Sequence, residues 1–331
     1  MITSNHPPLT AEDHFSNWSR KKEVQPIAGD RLSGRSASLY RYVWAAWNTF
    51  LKTHGPGGLG TDWLEADAIA VERFLRDAVS PSSARKSRTT PISPVTRQRY
   101  LRLLSWIYQD AVNAGMAAHN PARTLLEGVL PLGDVDGQVF NRVQWQWIHN
   151  AFPDANDRWS VRDRAILLLL TEQGLTTGEI CSLDINSLKL TLKPPLLELS
   201  GRRHAQQRTL YLGDDESSAL RQWMLERSTV SIRNPTHAQS LFVTKKGYPM
   251  SPRALFHLAA KTITRAFVAN GVEVPNHIGP ATLRNTRIVM WLNDGVPVEK
   301  VLAMSGYKDF RSLRCLRSHV HSPLAKLPPS D

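Results

Sequence analysis

The chain has little cysteine, a shortage of acidic residues and no long apolar run. Its two cysteines among 331 residues, Cys181 and Cys315, fall in helix-like stretches without metal-ligand spacing, which argues against a disulfide framework or a zinc site. No segment offers the ~18 uninterrupted apolar residues of a membrane span. The opening "MITSNHPPLTAEDHFSNWSRKKEV" lacks the apolar centre of a signal peptide. A cytoplasmic protein that does not engage membranes is expected. Nucleotide-binding motifs are missing too: "GPGGLG" follows a helical pattern and lacks the lysine and hydroxyl pair of a phosphate loop, so it reads as a turn. No cofactor and no metal are expected.

Positive charge is abundant. Lys and Arg total 41 against 29 Asp and Glu, a net charge of +12. Such a balance points to a polyanionic partner, with double-stranded DNA favoured over membrane; the alternative is a basicity that serves solubility alone. At this length two domains are expected.

Residues 1–28 are polar without a sustained period and read as a mobile arm. A helical domain spans 29–128. Its first helix places Tyr40, Val43, Trp47, Phe50 and Leu51 on one face, and "DAIAVERFLRDAV" supplies a second. "SPSSARKSRTTPISP" is a flexible basic loop carrying Arg85, Lys86 and Arg88. A third helix opens with Ser93 as cap and Pro94 in its first turn. Tyr100, Leu103, Leu104, Ile107 and Val112 form its apolar stripe; Arg97, Arg99 and Arg102 occupy the other side, with no acidic residue between Asp77 and Asp110. Arginines so placed suit phosphate contacts, and the alternative is an ordinary solvated face.

A Gly- and Pro-bearing linker covers 129–138, and a second domain covers 139–322, followed by a tail at 323–331. This domain mixes an apolar helix at 161–173, strands in "PLLELS" and "RTLYLG" joined by the basic turn "GRRHAQQ", and helices from "DESSALRQWMLER" to "SLRCLRSHV". The fold class expected is mainly α with a small antiparallel β-sheet.

The order of elements from about 35 to 320 resembles the tyrosine recombinase family, the phage-type integrases. "NPA" at Asn120–Ala122 follows the last helix of the first domain, and an "RDRA" plus aliphatic helix comes next. Gly174, Leu175, Glu179, Gly201, Leu283, Arg284, Thr286, Gly306, His319 and Val320 stand where the family has its corresponding motif residues. The resemblance implies a helical core-binding (SAM-like) domain followed by a catalytic-type domain. It also implies DNA cleavage by attack of a tyrosine on phosphorus, with two arginines on the phosphate oxygens, a turn lysine as proton donor, and assisting histidines.

The departures fall on that chemistry. Thr176 stands at the first arginine's position and offers one neutral hydroxyl in place of a charged fork. Arg202 stands at the turn lysine, and an arginine is a poor proton donor. Ala281 and Asn285 replace two histidines, Tyr307 follows Gly306 where histidine or tryptophan is usual, and Arg317 occupies the nucleophile's place. Arg284 is the principal catalytic group retained, with Glu179 as a retained support position. Cationic replacements accumulate at Arg202, Arg203, Arg311, Arg314 and Arg317, the last three recurring every third residue.

The expected function is therefore a DNA-binding, catalytically inactive family member, an accessory factor in recombination of a mobile element or a transcriptional regulator. It would clamp duplex DNA between its domains and could oligomerise there or act beside an active recombinase, in the bacterial cytoplasm and nucleoid. The alternatives are an active recombinase with atypical residues, with Tyr307 the nearest replacement nucleophile, and a protein-interaction subunit of a heteromeric recombinase.

Overall fold

A computed structural model describes residues 10–24, 34–54, 60–78, 91–127, 137–201 and 207–322. The chain divides into two compact units, Met1–Gly133 and Asp134–Asp331. Arg85, Lys86 and Arg88 of the basic loop and Arg202 and Arg203 of the basic turn lie outside the described residues, as does the tail.

The first unit is helical: α1 (Ala11–Val24), α2 (Gly34–Thr53), α3 (Ala68–Asp77), α4 (Pro94–Asn113) and α5 (Arg123–Glu127), with a 3-10 turn at Trp63–Glu65. Its core is aromatic. Trp47 and Tyr108 are fully buried; Tyr108 accepts from the Trp47 indole at 3.0 Å and donates to the Trp63 carbonyl at 2.7 Å, so the polar atoms buried with these rings are paired. Helix α4 starts as the sequence predicts, with Ser93 accepting from the Thr96 amide at 3.2 Å and Pro94 in the first turn.

Residues 1–28 are not wholly the mobile arm that their polarity suggests. Helix α1 buries Phe15 and Trp18 in this core, and the Ala11 carbonyl accepts from the Trp44 indole at 2.8 Å. Two large aromatics three residues apart suffice to dock a helix that is otherwise polar, and so short an apolar stripe is invisible to a test for sustained period.

The second unit is built on α7 (Arg158–Thr171), whose Ile166, Leu167, Leu169 and Leu170 are all fully buried, which explains the apolar run. Around it lie α6 (Arg142–Asn150), the short α8 (Thr177–Ser182), α9 (Asp214–Ser228), α10 (Pro252–Ala269), α11 (Pro280–Asn293) and α12 (Val298–Ser305). Three antiparallel strands run in the order β1 (Leu188–Lys189), β2 (Leu196–Leu199), β3 (Arg208–Tyr211), with Leu197 paired to both Leu188 and Leu210. In β2, Leu197 and Leu199 point inward and Glu198 outward, the alternation of a half-buried strand.

The final segment, Phe310–His319, is a 3-10 helix capped by Asp309, which accepts from the Arg311 amide at 3.0 Å. Its buried residues, Leu313 and Leu316, are three apart, matching the three residues per turn of this geometry. Among the described residues, no helix is long and apolar enough to cross a membrane and no cluster of His, Cys, Asp or Glu could hold a metal.

Candidate functional site

Arg284 sits in the second turn of α11 and is buried at 6 % exposure. Its guanidinium is held on three sides. Nη1 donates to the Gly174 carbonyl, Nη2 donates to the Ser305 carbonyl at 2.6 Å, and its carbon stands 4.8 Å over the Tyr307 ring. Backbone turns at two glycines create these partners. Gly174, at φ 57°, reverses the chain between α7 and α8; Gly306, at φ 69°, ends α12 and delivers Tyr307 to the arginine. Both residues adopt the left-handed region that favours glycine.

Thr176 and Glu179 form a reciprocal cap on α8. Thr176 Oγ1 accepts from the Glu179 amide at 3.1 Å, while Glu179 Oε2 accepts from the Thr176 amide at 2.8 Å and its hydroxyl at 2.9 Å. The other carboxylate oxygen accepts from Arg208 Nη1 at 2.5 Å, in a pair whose side chains are 8 % and 14 % exposed. No sequence motif marks Arg208. It opens β3, and its Nε donates to the Met304 carbonyl at 2.8 Å. Burial pushes the Glu179 carboxyl up, but the hydrogen bond and charge of Arg208, joined by Thr176, outweigh it and hold the group below the usual carboxylate range.

Two guanidiniums therefore converge on consecutive carbonyls, Met304 and Ser305, at the C-terminal end of α12. The last carbonyls of a helix lack intrahelical donors and carry its negative partial charge, so cations are their natural partners.

The structure brings together Arg284, Tyr307, Thr176 and Glu179 through these contacts. Ala281 is exposed at the start of α11. Arg317 is exposed on the 3-10 helix, which passes close to Asn285: a Cβ on Gly137 would lie 2.8 Å from the Leu316 side chain and 3.0 Å from Asn285 Nδ2. Gly137 also donates to the Cys315 carbonyl at 2.6 Å, which pins the start of this unit to the 3-10 helix.

Behind the site, Arg287 Nη2 pairs with Glu172 at 2.8 Å, and His149 Nε2 stands 3.3 Å from the same carboxylate. Burial, reinforced by Arg287 and Arg164, lowers His149 from the usual 6.5 to about 4. Between those values the unfolded chain takes a proton that the folded chain refuses, so stability falls as pH drops through this window. The expected loss reaches about 3 kcal/mol at most. Burial raises Glu172, which acts in the opposite sense and offsets part of it at the acid end. Urea midpoints at pH 7 and pH 5 check this, and His149→Gln should flatten the difference.

Known proteins share both the order of these elements and their arrangement. The model of the "Phage integrase family" matches residues 144–317, more than half of the chain. The chain belongs to this family, the tyrosine recombinases. It is 24% identical over 270 residues to tyrosine recombinase XerC of Thermodesulfovibrio yellowstonii, covering 80% of each protein. The match to XerC of Bacillus subtilis, 26% identical over 174 residues, covers 52% of this chain and 54% of that relative, so the chain spans about half of it. Among solved structures, the Tn1549 transposon integrase in complex with a circular intermediate DNA superposes with a TM-score of 0.69 at 13% identity, covering 93% of this chain and 95% of that one. At that identity the likeness is one of fold.

Among the described residues, basic side chains also gather away from this site on the integrase-family chain. On α4, Arg99 and Arg102 share an exposed face with Trp106, which is 51 % exposed. Arg97 is not on that face. It lies roughly 140° around the helix from Arg102 and lines a cleft of about 350 Å³ with Glu72, Leu75 and Leu101. The expected row of three is thus a pair plus an outlier. On α10, Arg253, His257, Lys261 and Arg265 recur every fourth residue and all are exposed, forming an i, i+4 ridge.

Proposed function

We propose that this chain is a DNA-binding tyrosine recombinase homologue that no longer cleaves DNA, serving as an accessory factor in recombination of a mobile element or as a transcriptional regulator. The observation that carries the reading is the disposition of Arg284. Cleavage requires fixed cations aimed at the charge that develops on phosphate oxygens. Here the retained arginine spends its fork on the carbonyls of Gly174 and Ser305. Thr176, in the first arginine's place, caps a helix instead. Arg208, the other guanidinium nearby, is neutralised by Glu179.

DNA binding is supported by the ridge on α10, by the pair on α4 with its neighbouring indole, and by the net charge of +12. Two of its fold neighbours are bound to DNA: the Tn1549 transposon integrase, in complex with a circular intermediate DNA, and XerH, bound to a palindromic difH substrate. Equilibrium binding of the full chain to a mixed-sequence duplex, followed by fluorescence anisotropy across salt concentrations, tests the reading. The logarithm of affinity should fall linearly with the logarithm of salt, and the double variant Lys261→Gln with Arg265→Gln should flatten the slope by ~0.9 for each phosphate that is no longer neutralised. Salt-independent or absent binding would favour instead a protein-interaction subunit of a heteromeric recombinase.

A second reading, an active enzyme, draws on one feature. The Tyr307 ring lies against Arg284, which places a phenol beside a cation at this site.

A further inference from the structure

The segment in which the family resemblance places the nucleophile has an unusual geometry here. Runs of 3-10 helix longer than three or four residues are uncommon, yet this one extends over Phe310–His319, ten residues. Its side chains at i and i+3 eclipse, so the segment carries three straight rows. One row contains Leu313 and Leu316, both fully buried against α11 residues such as Ile288 and Leu292. The next holds Arg311, Arg314 and Arg317, exposed at both ends and half-buried in the middle. In an α-helix, positions three apart drift by roughly 60° at each step, and Arg317 would have turned well away from Arg311.

From this arrangement we infer that the 3-10 helix is a phosphate-tracking row, in which three aligned arginines take phosphates of one strand of duplex DNA. The inference rests on the DNA-binding reading above and assigns this segment its partner. A rise of ~2.0 Å per residue sets the three cations about 6 Å apart along a line. Phosphates of one strand step by about 3.4 Å along the duplex axis, and by more along the winding strand itself. Arginine side chains are long enough to absorb the difference. Charge complementarity selects the occupant: among the described residues, no ion pair ties any of the three guanidiniums to a carboxylate. The buried leucine row fixes the helix about its own axis and so holds the cationic row outward. The position at which the resemblance places the nucleophile thus becomes one anchor in a row whose two ends are exposed and whose middle is half-buried.

The test uses the full chain and the same mixed-sequence duplex. Arg311→Gln, Arg314→Gln and Arg317→Gln combined should make the salt slope shallower by about three units, ~0.9 for each phosphate released. The corresponding triple lysine variant, which keeps charge in the same row, should retain a slope close to that of the unaltered chain. An unchanged slope in the glutamine variant overturns the inference while leaving the DNA-binding reading intact. Equal losses in both variants also overturn it, since they mark a structural role. Absence of salt-dependent binding by the unaltered chain overturns both.

Discussion

Replacing Arg284 with methionine is expected to destabilise the C-terminal unit by about 3 kcal/mol, because a buried acceptor left without a donor costs roughly 1–3 kcal/mol and this residue serves two. The acceptors are the Gly174 and Ser305 carbonyls, both on buried residues. In thermal unfolding the loss corresponds to roughly 6–12 °C for a unit of this size. Lysine should rescue little, since an ammonium cannot reproduce a planar fork that spans two carbonyls and lies against the Tyr307 ring. Urea denaturation of the methionine and lysine variants distinguishes the alternatives. If both unfold at the midpoint of the unaltered chain, Arg284 is not a structural brace, and its charge is free to meet a substrate.

The second large effect is expected at Arg208. Truncation to alanine strands the Glu179 carboxylate in a site where its side chain is only 14 % exposed, and breaking a buried pair from one side typically costs about 3–5 kcal/mol. The pH dependence carries the signature. In the unaltered chain the Glu179 carboxyl is held low, so its contribution is present above the ordinary glutamate value and is lost as pH falls through the depressed one. Without Arg208, burial dominates and pushes the carboxyl up; the variant then recovers part of its deficit as pH falls and the group protonates. The double variant Arg208→Met with Glu179→Gln should be less destabilised than Arg208→Ala alone. An Arg208→Ala deficit that does not change between pH 7 and pH 4 contradicts the pairing.

Much of the fold is legible in the sequence because it rests on patterns that survive in one dimension. The apolar run in α7, the Ser93 and Pro94 start of α4, and the strand pair flanking the basic turn each carry a local signal. Helix α1 carries too little of one, since Phe15 and Trp18 are its large buried apolar side chains. The last segment reads as a helix, but a single pair of leucines three residues apart fits both helical forms, so the 3-10 geometry that aligns the arginines shows only in the hydrogen bonds.

The site is legible in its identities and not in its contacts. Thr176 stands out as a missing arginine; its spacing from Glu179 also spells a capping box, which is the role it plays. Arg208 escapes a reading of the sequence because its partners, Glu179 and Met304, lie 29 and 96 residues away in the chain, and no local spacing encodes such pairings. Charge alone groups Arg97 with Arg99 and Arg102, although helical geometry separates it.

A chain that grips DNA without forming a covalent bond to it is the central expectation. Nicked suicide duplexes, which trap a phosphotyrosyl enzyme by letting the freed strand diffuse away, measure this directly on denaturing gels. Salt-sensitive complexes should form on native gels and no protein-linked strand on denaturing ones, for the unaltered chain and for Tyr307→Phe alike. A covalent adduct formed by the unaltered chain and lost in Tyr307→Phe would refute that expectation and make Tyr307 the nucleophile.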